Sequence, residues 1–395
     1  MSHRIRTLNK ISPQGLKLLG PPFTVGPEVP EPEGLLVRSA TVDTELFPSL
    51  LAVARAGAGV NNITVDKATA RGVCVFNTPG ANANAVAELV FTMLGMAARN
   101  IPQSLEFTRA LASEPDDKAV AARVEAGKAS YTGFELAGKT LGVVGLGRIG
   151  VLVANYGLHH GMSVLGYDPA PSLSNFHQLD PRVEVAHRLD DVVRAADVIT
   201  VHVPLLDQTR NLLGARQLAA MKPGVLLLNY ARKGIYDEGA VLEALEAGRV
   251  RCYLTDFPHK ALLGNPRVVA TPHLGASTAE SEDNCAVMAA RQLRAYLELG
   301  VVTNSVNFPA LESYPQDTTR TRIVAVHRDI PAMIAKVTQA LGSAGYNLQA
   351  LANGSNGAVG YTVMDLEVDV PDAVVATLGA VPDVLRVRAL RLDRA

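Results

Sequence analysis

Leu141-Gly-Val-Val-Gly145-Leu-Gly147-Arg-Ile-Gly150 decides the fold of this chain. An apolar run of strand length passes directly into Gly-x-Gly-x-x-Gly, and the residues that follow open a helix. Each glycine has a separate task. Gly145 makes a tight turn, Gly147 lets the backbone approach a pyrophosphate, and Gly150 lets helix and strand pack closely. The helix start then offers unpaired N–H groups and a positive dipole end to the phosphates. Asp168 closes the next strand, 23 residues after Gly145. A carboxylate there accepts hydrogen bonds from ribose hydroxyls and repels a 2′-phosphate, so NAD is expected over NADP. The competing reading, chance glycines and a helix cap at Asp168, is disfavoured by the ordered strand–turn–helix context.

Working outward, strand-like runs recur at 141–144, 163–167, 197–203, 224–230 and 268–272, with helical segments between them, such as Asp237 to Ala247 stopped by Gly248. This alternation predicts a doubly wound α/β domain. Before it, Gly34–Arg38, Leu51–Arg55 and Val73–Phe76 read as buried parallel strands. Asn82 to Ala98 reads as a helix and Gln103 to Lys128 as an exposed helical connection. Ala276 to Leu299 is a long helix ended by Gly300. Thr303 to Thr321, rich in Pro, Ser, Thr and Asn, reads as a linker. Beyond it the order βαββαβ over 322–392 predicts a small ferredoxin-like module.

Composition narrows the function. The 395 residues imply two or three domains. Lys+Arg 37 against Asp+Glu 38, with no basic cluster, disfavours nucleic acid or an anionic membrane as partner. The longest apolar stretch, Ala85 to Ala98, is too short to span a bilayer and contains Glu88. The start has no apolar core of a signal peptide, and a cytoplasmic location is expected. Cys74, Cys252 and Cys285 are odd in number and far apart, which supports neither disulfides nor a metal cluster.

In an open α/β sheet, ligands sit outside the carboxyl ends of the strands. Three such ends are chemically rich: Asn229 to Gly234, Asp256, and Thr271 to Ser277. Arg232 offers a fork for a carboxylate. Histidine as a residue type can move a proton near neutral pH, which suits His273 to a hydroxyl proton, although taken alone it would more often be a cap on the following helix. His202 has the same ambiguity, structural or cofactor-lining. His159 and His160 are read as favourable charges at a helix end.

LGVVGLGRIG (141–150), LNYARKGIYDE (228–238) and VVATPHLGAST (268–278) together resemble the D-isomer-specific 2-hydroxyacid dehydrogenases. LLVRSATVD (35–43), RAGAGVNNI (55–63) and FNTPGANANAVAEL (76–89) narrow the resemblance to the phosphoglycerate branch of that family. The segment from RIVAVHRDIPAMIAKVTQALGSAGYNL (322–348) onward resembles an ACT domain. The resemblance implies a Rossmann-type nucleotide domain, 96–280, inserted in a flavodoxin-like substrate domain made of 1–95 and 281–306. A linker, 307–320, and an ACT domain, 321–395, complete the expected plan. It also implies His273 as general acid/base and Arg232 as the contact to the substrate carboxylate and carbonyl. Arg148, Ile149, His202, Val203, Pro204, Tyr230, Ala231, Asp256 and Gly275 join Gly145, Gly147, Gly150 and Asp168 on cofactor-contacting positions. Arg38, Ser39, Ala58, Gly59 and Lys128 match substrate contacts, the ordinary surface cation being the alternative for Arg38 and Lys128. His327 and Asn347 match effector positions, where L-serine is the implied ligand; Asp329 stands where an Asn is usual.

One departure stands out. The family places a Glu four or five residues after the aspartate at Asp256, where it pairs with the catalytic histidine. Here Lys260 and Ala261 occupy those places. Either His273 works without that partner or another carboxylate reaches in. The activity implied is NAD-dependent oxidation of 3-phospho-D-glycerate to 3-phosphooxypyruvate, the first step toward L-serine, by a homodimer or homotetramer. The alternatives are a reductase of another D-2-hydroxy acid, such as hydroxypyruvate or glyoxylate, and a non-catalytic NAD-binding regulator. No metal is expected.

Overall fold

The computed structural model describes residues 3–392. The chain divides into two units, one made of the residues up to Asn82 with those from Ala279 on, the other of Ala83–Thr278.

In the first unit, β1 (His3–Leu8), β2 (Phe23–Gly26), β3 (Gly34–Val37), β4 (Ala52–Arg55) and β5 (Cys74–Phe76) form a parallel sheet in the order β2-β1-β3-β4-β5. β3 and β5 are buried throughout because both sheet faces are covered. One face meets the helix Ala279–Leu299, whose Ala286, Ala289, Ala290, Leu293 and Tyr296 recur at helical spacing and share a core with Leu36, Ala54 and Cys74. β1 and β2 are absent from the sequence reading. In β1, Ile5 alone is buried, flanked by Arg4 and Arg6, so the strand carries no apolar run.

The second unit holds β6 (Thr140–Val144), β7 (Ser163–Tyr167), β8 (Glu184–Val185), β9 (Val198–Val201), β10 (Val225–Asn229), β11 (Val250–Thr255) and β12 (Val268–Ala270). All are parallel, in the order β12-β11-β10-β9-β6-β7-β8, the doubly wound arrangement with its reversal between β9 and β6. The helix Ala83–Ala98 belongs to this unit, so the first division falls at 82/83 and not at 95. The reason is packing: Phe91 stacks on His160 with centroids 4.5 Å apart, and the Tyr156 hydroxyl donates to Asn84 Oδ1 at 2.7 Å. His160 thus has a packing role beyond its place at the helix end. The expected connection 103–128 is two helices, Ile101–Ala110 and Asp117–Gly127, neither of which buries a residue.

The C-terminal segment of the first unit is β13 (Thr321–Arg328), the helix Met333–Ser343, β14 (Ala350–Ser355), β15 (Val359–Leu366), the helix Asp372–Gly379 and β16 (Val384–Arg391). The strands pair antiparallel in the order β14-β15-β13-β16, a ferredoxin-like arrangement that fits an ACT-like domain. Every residue of β13 but Arg328 is buried. Ile323 and Ala325 pack under the module's own helices, while Val324 and Val326 join the core around Tyr296 and Phe308. The segment read as a linker is irregular but docked. Asn307 accepts the Val75 N–H and donates to Val73 O, and Phe308 is buried.

Arg322 fastens this module. Its Nε and Nη2 donate to the two Asp365 carboxylate oxygens at 2.7 Å, and its Nη1 donates to Leu299 O and Ser313 O. Arg388 donates to Tyr296 O and lies over the Tyr296 ring, and the Tyr361 hydroxyl donates to Gly300 O. The carboxyl end of the helix Ala279–Leu299, where backbone carbonyls lack helical partners, is therefore capped by cations and donors from the C-terminal module.

Candidate active site

Along the carboxyl edge of the seven-stranded sheet, successive strands deliver Thr271, Asp256, Asn229, His202, Gly145 and Asp168 in spatial order. At the β9/β6 reversal, Gly145 has φ +95°, and a Cβ there would lie 2.7 Å from His202 O. A Cβ on Gly150 would stand 1.8 Å from Gly145 O. Gly147 precedes the helix Arg148–His159 and has open space before it. Two glycines thus serve the fold, and the middle one leaves room for a phosphate at a helix N-terminus. Asp168 Oδ2 accepts the Leu146 N–H at 2.8 Å and Oδ1 accepts the Ala170 N–H at 2.9 Å. The carboxylate ties down the glycine turn and keeps lone pairs for a ribose. The residues present therefore fit a dinucleotide, with Arg148 and Ile149 in the first helical turn and Val203 beside Gly145.

His202 lies against this turn with Nε2 2.9 Å from Thr200 Oγ1. Burial pulls its pKa down to about 3, so the ring is neutral. Pro204, which follows, accepts a hydrogen bond from Thr209 Oγ1.

After β10, the buried Asn229 shapes the turn. Its Nδ2 donates to Arg232 O at 2.9 Å and its Oδ1 accepts the Ala231 N–H. Tyr230 and Ala231 are buried, while Arg232 is exposed, its Nη1 donating to Ala231 O at 2.7 Å. Burial drives the Tyr230 phenol far above its usual range, so it remains neutral.

Asp256 is 2 % exposed and grips the loop after β12. Its Oδ1 accepts from Thr271 Oγ1 and from the Leu274 N–H, and its Oδ2 accepts the Gly275 N–H, all at 2.7 Å. His273, between these anchors, has φ +58° and an exposed ring. A left-handed backbone at a non-glycine residue is strained and persists where its surroundings enforce it; here Asp256 does so. His273 does not cap the long helix, which begins at Ala279. Its ring meets Phe257 edge-on, with centroids 5.1 Å apart. The carboxylate that approaches the stretch lacking the family's Glu is Glu238, and it goes to His259, 2.6 Å from Nε2.

In the first unit, Arg38 and Ser39 follow β3, and Ala58 and Gly59 follow β4. Ala58 O accepts from Asn77 Nδ2, and Arg38 Nη1 is 2.7 Å from Glu282 Oε1. Lys128, at the end of the helix Asp117–Gly127, is exposed and paired with Glu125. His327 is buried, with Nδ1 2.8 Å from Arg328 O and Nε2 3.0 Å from Thr362 Oγ1, so neither nitrogen is free for an effector. Asn347 is exposed ahead of β14, and Asp329 accepts from the Ser355 hydroxyl.

Residues 92–275 match the family model of the D-isomer specific 2-hydroxyacid dehydrogenase, NAD binding domain. Over that segment the chain belongs to that family. It is 40% identical over 320 residues to a D-3-phosphoglycerate dehydrogenase of Mycobacterium tuberculosis, covering 76% of this chain and 58% of that protein. It is 40% identical over 289 residues to the enzyme of the same name from Bacillus subtilis, covering 71% and 52%. The chain thus spans about half the length of these relatives. Among solved structures, an NAD-bound 3-phosphoglycerate dehydrogenase of Entamoeba histolytica superposes with a TM-score of 0.60 at 25% identity, over 78% of this chain and 99% of that one. No helix among the described residues is long and apolar enough to cross a membrane.

Asn229 and Thr271 escaped the sequence reading as positioning residues. For Asn229 the signal is a polar residue closing a wholly apolar strand, VLLLN (225–229). The matched family model is an NAD binding domain, and if Asp168 receives the ribose, kcat/KM with NAD should exceed that with NADP by at least about tenfold, roughly 1.4 kcal/mol. Comparable values would remove Asp168 from that role.

Proposed function

We propose that this protein oxidises 3-phospho-D-glycerate to 3-phosphooxypyruvate with NAD, the first step toward L-serine. The observation that carries the proposal is the Asp256-clamped loop. It presents His273 on the same sheet edge as the Arg232 turn and the dinucleotide turn. When bound, NAD accepts the hydride from C2. His273 takes the C2 hydroxyl proton, and Arg232 holds the carboxylate and the carbonyl oxygen as it forms. Arg38, with Ser39 and the Ala58–Gly59 backbone, meets the remote phosphate; Lys128 is the second cation assigned to substrate. Tyr230, Ala231, Val203, Pro204 and Gly275 line the cofactor.

A steady-state assay with NAD and a panel of D-2-hydroxy acids tests this reading. Highest kcat/KM for 3-phospho-D-glycerate supports it. Preference for the hydroxypyruvate or glyoxylate couple makes the chain a reductase of those acids, and NAD binding without turnover makes it a regulator. The same assay with added L-serine reads the effector role, for which Asn347 is the exposed contact.

We further propose a cytoplasmic homodimer or homotetramer. β14 is an edge strand of the C-terminal sheet, and the helices Ile101–Ala110 and Asp117–Gly127 contain no fully buried residue. Unpaired strand edges invite a partner strand. Light scattering should give at least twice the chain mass, and a monodisperse monomer would defeat the proposal.

A further inference from the structure

The loop after β3 carries a feature that bears on substrate choice. The order β2-β1-β3-β4-β5 reverses between β1 and β3, and ligands of open α/β sheets bind outside the carboxyl ends of the strands at such a reversal. Asn9 follows β1 and Arg38 follows β3. Asn9 Oδ1 accepts the N–H groups of Arg38, Ser39 and Ala40 at 3.4, 3.1 and 2.8 Å. From the end of β4, Arg55 Nε donates to Arg38 O at 3.1 Å. The loop backbone is therefore pinned and its N–H groups are already used. What it offers an anionic ligand is side chains, the Arg38 guanidinium as the charged one beside the Ser39 hydroxyl.

That guanidinium is not bare. Glu282, in the first turn of the helix Ala279–Leu299, places Oε1 2.7 Å from Arg38 Nη1. The two side chains are 41% and 46% exposed, and an ion pair so open to water is easily parted. We infer that Glu282 is a specificity-determining residue: its carboxylate occupies Arg38 where the remote anion of the substrate binds, so a phosphorylated acid must displace it. The inference rests on the reading of Arg38 as the phosphate contact. Displacement opposes the phosphate twice, because it removes an existing partner of Arg38 and leaves a carboxylate close to a dianion. An acid with an uncharged tail makes no such demand. Glu282 therefore lowers the advantage of phosphorylated over unphosphorylated substrates.

The test compares the parent, Glu282→Gln, Arg38→Ala and the double variant, with 3-phospho-D-glycerate and with D-glycerate. Glu282→Gln should lower KM for 3-phospho-D-glycerate about fivefold, leave its kcat within about twofold, and leave D-glycerate within about twofold. In the Arg38→Ala background the same change should do nothing. The gain should shrink as salt rises. Calorimetric titration of 3-phospho-D-glycerate into the NADH-loaded protein reads the same ratio without turnover. If Arg38→Ala selectively weakens the phosphorylated substrate while Glu282→Gln leaves its KM unchanged or raises it, Glu282 is a support of Arg38 and the inference falls alone. If Arg38→Ala weakens both substrates equally or neither, the phosphate reading of Arg38 falls, and the inference with it.

Discussion

His273→Asn should lower kcat by about 10²–10⁴-fold, the usual worth of a positioned acid/base, while NAD binding is unchanged. Asparagine tolerates the left-handed backbone that His273 adopts at φ +58°, and the loop stays fixed because Asp256 bonds to Thr271, Leu274 and Gly275 and not to the His273 side chain. Gly145, Gly147 and Asp168 are untouched. The change therefore removes the proton acceptor with little else, and near-normal kcat would refute the acid/base role. The absent glutamate supplies a second arm. Ala261 lies exposed in the turn that follows Phe257, and Phe257 contacts the His273 ring. Ala261→Glu brings a carboxylate back to the place where the family carries one, which favours the protonated ring. Oxidation needs the neutral ring, so its rate profile should move to higher pH. Reduction needs the protonated ring and should persist to higher pH. Profiles that stay in place would show that His273 is insensitive to position 261.

Arg322→Ala should cost about 3–5 kcal/mol, read as a lowered urea midpoint. The side chains of Arg322 and Asp365 are 0% and 4% exposed. Removing the arginine leaves a carboxylate buried without a partner. It also strips the donor from Leu299 O and Ser313 O. The loss comes from the orphaned charge more than from the pair itself. Replacing both residues by apolar ones of similar volume, as in Arg322→Met with Asp365→Leu, should therefore lose far less. A single variant within about 1 kcal/mol of the parent would mean that water reaches Asp365 and that the module is not locked through this pair.

The glycine turn and the alternating strand–helix order of the nucleotide unit were legible because each rests on local physics: a positive φ, a close approach, a continuous apolar run. The ferredoxin-like order of the C-terminal module was legible for the same reason. Less visible were the strands that carry little apolar sequence. β1 centres on Ile5 between two arginines, and β8 has two residues. The first domain boundary was misplaced by a helix. Ala83–Ala98 is apolar enough for either neighbour, and its partners Tyr156 and His160 lie about sixty or more residues further along the chain.

The residue types of the site were readable, but their commitments were not. That Asp256 holds the His273 loop, that Glu238 goes to His259, that Glu282 sits on Arg38 and that both nitrogens of His327 are spent inside the protein all depend on side chains from separate elements. A sequence by itself determines which chemistry each strand end can present, since periodicity and turn propensity act over a few residues. Only the tertiary structure decides which donor meets which acceptor. Hydrogen bonds and ion pairs act within a few ångströms of space, whatever the distance along the chain.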